Sequence, residues 1–336
     1  MKDNFVAYKL ACKYNFEEKN LPHFSKNIAK AKKYDAINIM EWFLLAIAFA
    51  FFNALTMLIS QHFKLNGHLM SGLRGIGVGI IYFPLLFFCE IPKSAGFWAL
   101  IALEGAISTV YNEKLYAASA KYGASSTSII MVLSVALGMV FWWVVDLNRF
   151  LALIHNPLIL CGIIGSVIFI ALGFFITIKN SFANLRLEQL KFTMPAVFLL
   201  SVMMICRKEI MLGENFVTAM TYYCTVSIFL SGVVNIAWFR FIKKKAGKNT
   251  KTILSAGVLM ALASAITILC GNASSLYCPN PAYINAVCLT SPLWIVLFDK
   301  FIGKKDDINY AGLALMLSAM LALIYFANSP ILPPYH

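Results

Sequence analysis

The chain has 336 residues, of which 60% are hydrophobic and 13% are charged, and its mean hydropathy is +0.75. A soluble domain carries about 25% charged residues and could not bury this much apolar surface in one core, so a soluble protein is excluded. The formal net charge of +13 does not indicate nucleic-acid binding, because basic residues concentrate in the first 37 residues and around 240–251, beside apolar runs.

Residues 1–37 form a basic N-terminal tail. The first apolar run begins only near residue 40, so we expect no cleavable signal peptide. From there, apolar runs alternate with short polar turns. A membrane-spanning helix needs roughly 20 mostly apolar residues, and it must satisfy its own backbone hydrogen bonds. The sequence therefore predicts an all-α integral membrane protein. We predict ten spans, at 40–62, 68–90, 96–119, 125–146, 157–179, 192–212, 216–239, 252–272, 282–302 and 308–328.

The ten predicted spans divide into two halves of five, 40–179 and 192–328. Each half contains a small-residue turn, then a serine and then an aspartate, namely Ser134 and Asp146 or Ser291 and Asp299. An odd number of spans in each half gives the halves opposite orientations in the membrane. Inverted repeats of this kind place a binding site near the middle of the bilayer, between the halves.

At these residues the chain resembles the drug/metabolite transporter superfamily, in particular the ten-helix EamA-like carriers. The matching segments are Gly72-Leu73-Arg74-Gly75, Leu115-Tyr116-Ala117-Ala118, Ser291-Pro292-Leu293 and Gly303-Lys304-Lys305. The first half departs from the pattern, with Val135 in place of proline and 146–149 in place of the usual Gly-Glu-Arg turn. The resemblance implies ten transmembrane helices in two inverted five-helix repeats. It also implies alternating access around a cavity lined by spans one, three, four, six, eight and nine.

The resemblance places the protein in the inner cell membrane with both termini in the cytoplasm. The basic residues alone do not decide the orientation, because they are nearly balanced between the two sides. When only the tail residues near the first span are counted, the side of the termini has fewer basic residues, which favours termini outside the cell. We follow the resemblance and expect cytoplasmic termini.

The third span carries Glu104, Ser108 and Asn112 at intervals of four residues, so they form one polar stripe of the helix. A charge at the bilayer centre is unfavourable by about 2.5–3.5 kcal/mol and should face protein or water. One hypothesis places this stripe in a substrate cavity, with Glu104 as a proton-titrating carboxylate. The other makes it a hydrogen-bond network between helices. Glu113 points to the opposite face and pairs either with Lys114 or with another helix.

Five further residues are candidates for substrate binding. Arg74 could hold an anionic group with its guanidinium, or it could reach lipid headgroups. Asn53 lies at mid-depth of the first span, and Tyr222 lies in the hydroxyl-rich seventh span. Asn285 and Ser291 precede Pro292, which either opens a helical turn toward substrate or only kinks the ninth span.

Arg207, Lys208 and Glu209 end the sixth predicted span, and we expect them at the membrane interface. No catalytic set or metal-binding motif is evident, so we expect neither an enzyme nor a cofactor.

We interpret the chain as a secondary transporter. As the resemblance implies, its substrate is a small organic metabolite such as an amino acid or a nucleotide-like compound, S-adenosylmethionine included. A proton or counter-substrate gradient would drive it. Glu104 with neutral neighbours favours a cationic or zwitterionic substrate. The alternative is a lipid-linked substrate carrier or flippase, which should open laterally to the bilayer.

Overall fold

The computed structural model describes residues 21–123, 129–177, 187–242, 248–301 and 309–329. All regular elements in these ranges are helices, which confirms the all-α prediction for the described chain. The chain divides into two compact units after Met40. The predicted N-terminal tail falls in the first unit, and its first 20 residues lie outside the described residues. The second unit, from Glu41 onward, contains every residue of the candidate site.

The helices follow one another along the chain with short connections. They are α1 (Leu21–Phe63), α2 (Gly67–Tyr82), α3 (Ala95–Tyr122), α4 (Ile129–Val145), α5 (Leu147–Ile154), α6 (Pro157–Thr177), α7 (Leu187–Gly213), α8 (Phe216–Tyr222), α9 (Phe229–Phe241), α10 (Thr250–Tyr277), α11 (Pro281–Cys288), α12 (Ser291–Phe301) and α13 (Tyr310–Ala327). A 3₁₀ turn, Phe83–Phe88, follows α2, and a π-helical segment, Tyr223–Ile228, connects α8 to α9.

Six segments of the described chain are long and apolar enough to cross a membrane. They are Glu41–Phe63, Gly67–Phe88, Pro157–Ile176, Phe216–Phe241, Thr250–Tyr277 and Pro281–Phe298. A seventh results if α4 and α5 form one span, although the chain bends by 105° between them. A membrane-embedded helical protein is therefore supported, whereas the prediction of ten spans is not confirmed. Helices α3 and α7 have 28 and 27 residues, but they carry the charged residues Glu104 and Arg207.

Side-chain caps fix where several helices begin. The Ser94 hydroxyl accepts a hydrogen bond from the backbone N–H of Phe97 at the start of α3. The Asn215 side chain caps α8 in the same way, and Asn280 caps α11. These residues satisfy backbone donors that have no partner within the helix. The caps thus define the starts of three helices, of which α3 and α11 contribute to the candidate site.

The helices pack in pairs across the two predicted halves. Helix α2 packs against α9, α4 against α7 and α11, α6 against α13, and α3 against α7. Helix α1 meets α10, where the Ser274 hydroxyl donates to the backbone oxygen of Trp42 at 2.8 Å. The α2–α9 contact is especially close. A Cβ atom on Gly75 would lie 2.7 Å from the Cα atom of Gly232, so this crossing requires glycine.

Candidate functional site

Glu104 on α3 is fully buried and is held by three donors from two other helical segments. Its Oε1 atom accepts a hydrogen bond from Arg207 Nε at 3.1 Å and another from the Tyr223 hydroxyl at 2.7 Å. Its Oε2 atom accepts from the Ser227 hydroxyl at 2.6 Å. Since a buried charge is tolerated only when it is paired and hydrogen-bonded, these contacts explain how Glu104 can lie in the interior of the helical bundle. We call these four residues the Glu104 cluster.

The π-helical segment supplies two of the three donors. It packs against both α2 and α3, between the end of α8 and the start of α9. A π-helical turn changes the register of the side chains that follow it, and such turns are frequent at functional sites. Here the segment brings Tyr223 and Ser227 to different oxygens of one carboxylate. The hydroxyl-rich seventh span was the signal in the sequence, but its helical periodicity did not distinguish these two residues from their neighbours.

A cavity of about 60 Å³ lies beside the Glu104 cluster. Residues of α1, α2, α3, α7, α10 and α11 line it. The sequence-based expectation included the fourth span instead of the second, and no described residue of α4 is among the lining residues. Most of the lining side chains are polar. The charged, amide and tyrosine side chains are Arg74, Arg207, Asn53, Asn112, Asn272, Asn285, Tyr111 and Tyr116.

Arg74 faces this cavity from α2. It is 7% exposed, and its Nε atom donates a hydrogen bond to the Ser264 hydroxyl of α10 at 3.2 Å. Its guanidinium therefore points toward the interior of the protein, and the alternative that it extends to lipid headgroups is wrong. Within the described residues Arg74 makes no ion pair, whereas Arg207 is paired with Glu104.

Four of the predicted site residues meet at the cavity. Arg74, Asn53, Asn112 and Asn285 all line it, although they come from four different helices. Ser108 is fully buried behind them, and its hydroxyl accepts a hydrogen bond from Asn112 Nδ2 at 2.7 Å. The polar stripe of the third span thus has features of both hypotheses, the substrate cavity and the hydrogen-bond network between helices. Asn112 faces the cavity, while Glu104 takes part in hydrogen bonds between helices.

Two predicted site residues lie elsewhere. Tyr222 packs edge-on against Trp98, with ring centres 5.4 Å apart, and does not line the cavity. Its neighbour Tyr223 is the tyrosine that reaches Glu104. Ser291 is buried at the start of α12 and donates to the backbone oxygen of Ala50 at 3.0 Å. This hydrogen bond joins α12 to α1 at the point where the ninth predicted span is interrupted, between α11 and α12.

Arg207 and Lys208, which we expected at the membrane interface, make their contacts within the helical bundle. Only 18% of the Arg207 side chain is exposed, and it contacts Glu104. Lys208 is 3% exposed, and its Nζ atom donates to the backbone oxygen of Cys278 at 2.5 Å. It also lies 4.6 Å from the centre of the Trp142 ring. On α3, the local alternative for Glu113 is confirmed, since its carboxylate lies 3.5 Å from the ammonium group of Lys114.

A second, larger groove of about 540 Å³ lies at the end of the bundle where α2 leads to α3 and α7 leads to α8. Its charged lining residues are Glu90, Lys93 and Glu214. No residue of the Glu104 cluster lines it. In the described part of the chain, no group of three or more His, Cys, Asp or Glu side chains is placed to hold a metal ion.

Comparisons with known proteins identify a fold but no family. No family model matches the sequence, and no curated protein matches it either. A solved structure, described as "Crystal structure of protein", aligns with this chain at 12% sequence identity and a TM-score of 0.57. The alignment covers 85% of this chain and 98% of that one. At this identity the likeness shows a shared fold alone.

Proposed function

We propose that the chain is a secondary transporter that moves a small organic metabolite across the membrane by alternating access. The observation that carries this proposal is the polar cavity inside the helical bundle, with Arg74 and Arg207 among its lining residues. Ionisable side chains are rare within membrane proteins and usually mark the path of a substrate or an ion. A purely structural bundle would have no need of two arginines and four asparagines around one central space.

The proposed architecture is ten spans in two inverted five-helix repeats, as in the drug/metabolite transporter superfamily. Helices α3, α7 and α13 and the bent pair α4–α5 would add four spans to the six apolar ones. The packing supports this arrangement, because helices at equivalent positions of the two halves meet. The second spans pair as α2 with α9, the fourth as α4 with α11, and the fifth as α6 with α13. First and third spans pair across the halves in both combinations, α1 with α10 and α3 with α7.

Alternating access requires the cavity to change its size. A water molecule needs roughly 10–15 Å³ of cavity volume, so a cavity of about 60 Å³ has room for only a few waters. A metabolite can enter only if the surrounding helices separate. The interruptions that favour such movement are the π-helical segment and the break between α11 and α12, because discontinuous helices commonly form transporter binding sites. A proton or counter-substrate gradient would supply the driving force.

Transport by purified protein in proteoliposomes tests the proposal. Vesicles with the protein are loaded with unlabelled metabolites and exposed to labelled amino acids, nucleosides and S-adenosylmethionine, beside protein-free vesicles. We expect at least one labelled solute to accumulate only when the protein is present. Movement of fluorescent lipids without movement of any solute would favour the flippase alternative and contradict the proposal.

A matched pair of variants tests whether Glu104 takes part. Glu104→Gln and Glu113→Gln make the same chemical change on the same helix. Glu104 lies in the buried cluster, whereas Glu113 pairs locally with Lys114. We expect Glu104→Gln to slow transport, while Glu113→Gln transports as the wild type does. Equal transport rates in both variants would restrict Glu104 to a structural role.

A further inference from the structure

The charges around the central cavity are not balanced. Arg207 is neutralised by Glu104, whose carboxylate is 3.1 Å from its Nε atom. Arg74 has no such partner in the described chain, and none of the described lining residues is an aspartate or a glutamate. The cavity therefore carries one positive charge that no residue of the described chain compensates. A positive charge in the interior of a membrane protein is unfavourable unless an anion neutralises it.

The guanidinium of Arg74 is held in place by one hydrogen bond, and in the described chain its other donors have no acceptor. Its Nε atom is held by Ser264, which fixes the plane of the group. In the described part of the chain, neither terminal nitrogen makes a hydrogen bond, although an arginine has five donor hydrogens in a planar fork. The residue is 7% exposed and lines the cavity, so bulk solvent does not surround these donors. A fork of this geometry matches a carboxylate, which can accept two parallel hydrogen bonds.

We propose that Arg74 binds the carboxylate of the substrate, and that the substrate class is small metabolites with a single carboxylate group. This inference rests on the transporter function proposed above. One uncompensated positive charge matches a monoanion better than a doubly charged phosphate. The side-chain amides of Asn53, Asn112 and Asn285 offer neutral donors and acceptors to the rest of the molecule. A simple monocarboxylic acid satisfies these conditions, and an amino acid with a neutral side chain satisfies the carboxylate condition while its ammonium group contacts the amide oxygens.

This assignment revises the substrate class expected from the sequence. The sequence-based preference for a cationic or zwitterionic substrate depended on a free Glu104 carboxylate, and only its cationic part is now replaced. In the structure, both oxygens of that carboxylate are occupied by Arg207, Tyr223 and Ser227. A cation without a carboxylate would meet two guanidinium groups and no free acid. We therefore expect such cations to be rejected, whereas an ammonium group on a carboxylate-bearing molecule is tolerated beside the amides.

The test compares carboxylates with their methyl esters, because esterification removes the negative charge and the pair of equivalent acceptor oxygens while adding only a methyl group. Purified protein is titrated with the proteinogenic amino acids and simple monocarboxylic acids, and its melting temperature is recorded. A ligand that binds only the folded protein raises this temperature. We expect stabilisation by at least one carboxylate and none by its ester. Uptake of the same pairs into proteoliposomes should show the same preference.

Three variants identify the residue responsible. Arg74→Gln should weaken carboxylate binding by about 10-fold to 100-fold, as the loss of a charge-assisted bidentate contact does. Arg74→Lys should recover part of this affinity, because it keeps the charge without the fork. Arg240→Gln removes an exposed arginine outside the cavity and should bind as the wild type does. The melting temperature without ligand shows which variants are folded. If Arg74→Gln does not fold, Arg74→Lys and Ser264→Ala replace it in the binding test.

The outcomes separate this inference from the transporter proposal. Transport of esters and acids at equal rates would overturn the carboxylate assignment and leave the transporter proposal intact. Arg74-dependent binding of acids without uptake would overturn the transporter proposal and leave the assignment of Arg74 to a carboxylate intact. Arg74-dependent movement of a fluorescent phosphatidylserine, with no free acid bound, would assign the site to a lipid headgroup and overturn the small-metabolite assignment. Binding of no acid in the panel would also overturn it.

Discussion

The Nε atom of Arg207 lies 3.1 Å from Oε1 of Glu104, and this ion pair joins α7 to α3 beside the central cavity. The carboxylate is fully buried, and 18% of the arginine side chain is exposed. Arg207 also lines the cavity, so one residue connects the buried cluster to the proposed substrate space. The pair holds together helices from the two predicted halves. Its strength therefore affects both the stability of the bundle and the movement that alternating access requires.

Breaking this ion pair on one side should strongly destabilise the protein. Arg207→Met leaves the Glu104 carboxylate buried without its counter-charge, and removal of one partner of a buried pair typically lowers the free energy of unfolding by about 3–5 kcal/mol. The double variant Glu104→Gln with Arg207→Met removes both charges, keeps a side-chain amide as a hydrogen-bond partner for Tyr223 and Ser227, and should recover most of this loss. Denaturation in mixed detergent micelles measures both. A double variant as unstable as the single one would contradict the assigned pairing.

The hydroxyl of Ser227 should contribute measurably to stability. It donates a 2.6 Å hydrogen bond to Oε2 of Glu104, and hydrogen bonds to charged groups contribute about 1.5–3 kcal/mol. Ser227→Ala should lower the free energy of unfolding by an amount in this range. Ser318→Ala is the control, because Ser318 is exposed and, among the described residues, its hydroxyl contacts only a backbone oxygen of its own helix. Equal stability of the two variants would argue against the proposed contact.

The crossing of α2 and α9 should not tolerate a side chain at Gly75. A Cβ atom there would lie 2.6 Å from the backbone oxygen of Ile228, so the helices must separate, at a loss of about 1–3 kcal/mol. Because Arg74 precedes this glycine, Gly75→Ala should also reduce transport. At Gly165 an added Cβ meets nothing within 4 Å, and Gly165→Ala should be neutral or slightly stabilising. Melting temperatures of the purified variants distinguish the two sites.

Much of the central cavity follows from the sequence, because polar residues in apolar runs are conspicuous. Arg74, Asn53, Asn112 and Asn285 were each identified in this way, and all four line one space. The fold class followed from the apolar runs alone. The bend between α4 and α5 lies at Asp146, where the fourth span was predicted to end, but the short helix α5 that follows it was not predicted.

The differences between prediction and structure concern the surroundings of Arg207 and the register of the side chains in the seventh span. Arg207 was assigned to the interface because it lies near the end of the sixth predicted span, yet its side chain pairs with the buried Glu104 of α3. Tyr222 was named as a site residue and Tyr223 was not, but the π-helical segment that begins at Tyr223 alters which side chains share a face. Neither the partner of a buried charge nor a local change of helix type can be seen in hydropathy.

Access to the central cavity from the two sides of the membrane tests the central claim most directly. A cysteine is introduced as Thr267→Cys at a cavity-lining position, after the eight native cysteines have been replaced. Sealed vesicles of each orientation are treated with a small, membrane-impermeant thiol reagent. Ser166→Cys is the control, because Ser166 is buried on α6 and does not line the cavity. Our account predicts that Cys at 267 is labelled from both sides and Cys at 166 from neither. Labelling of position 267 from one side only, or from neither side, would contradict alternating access.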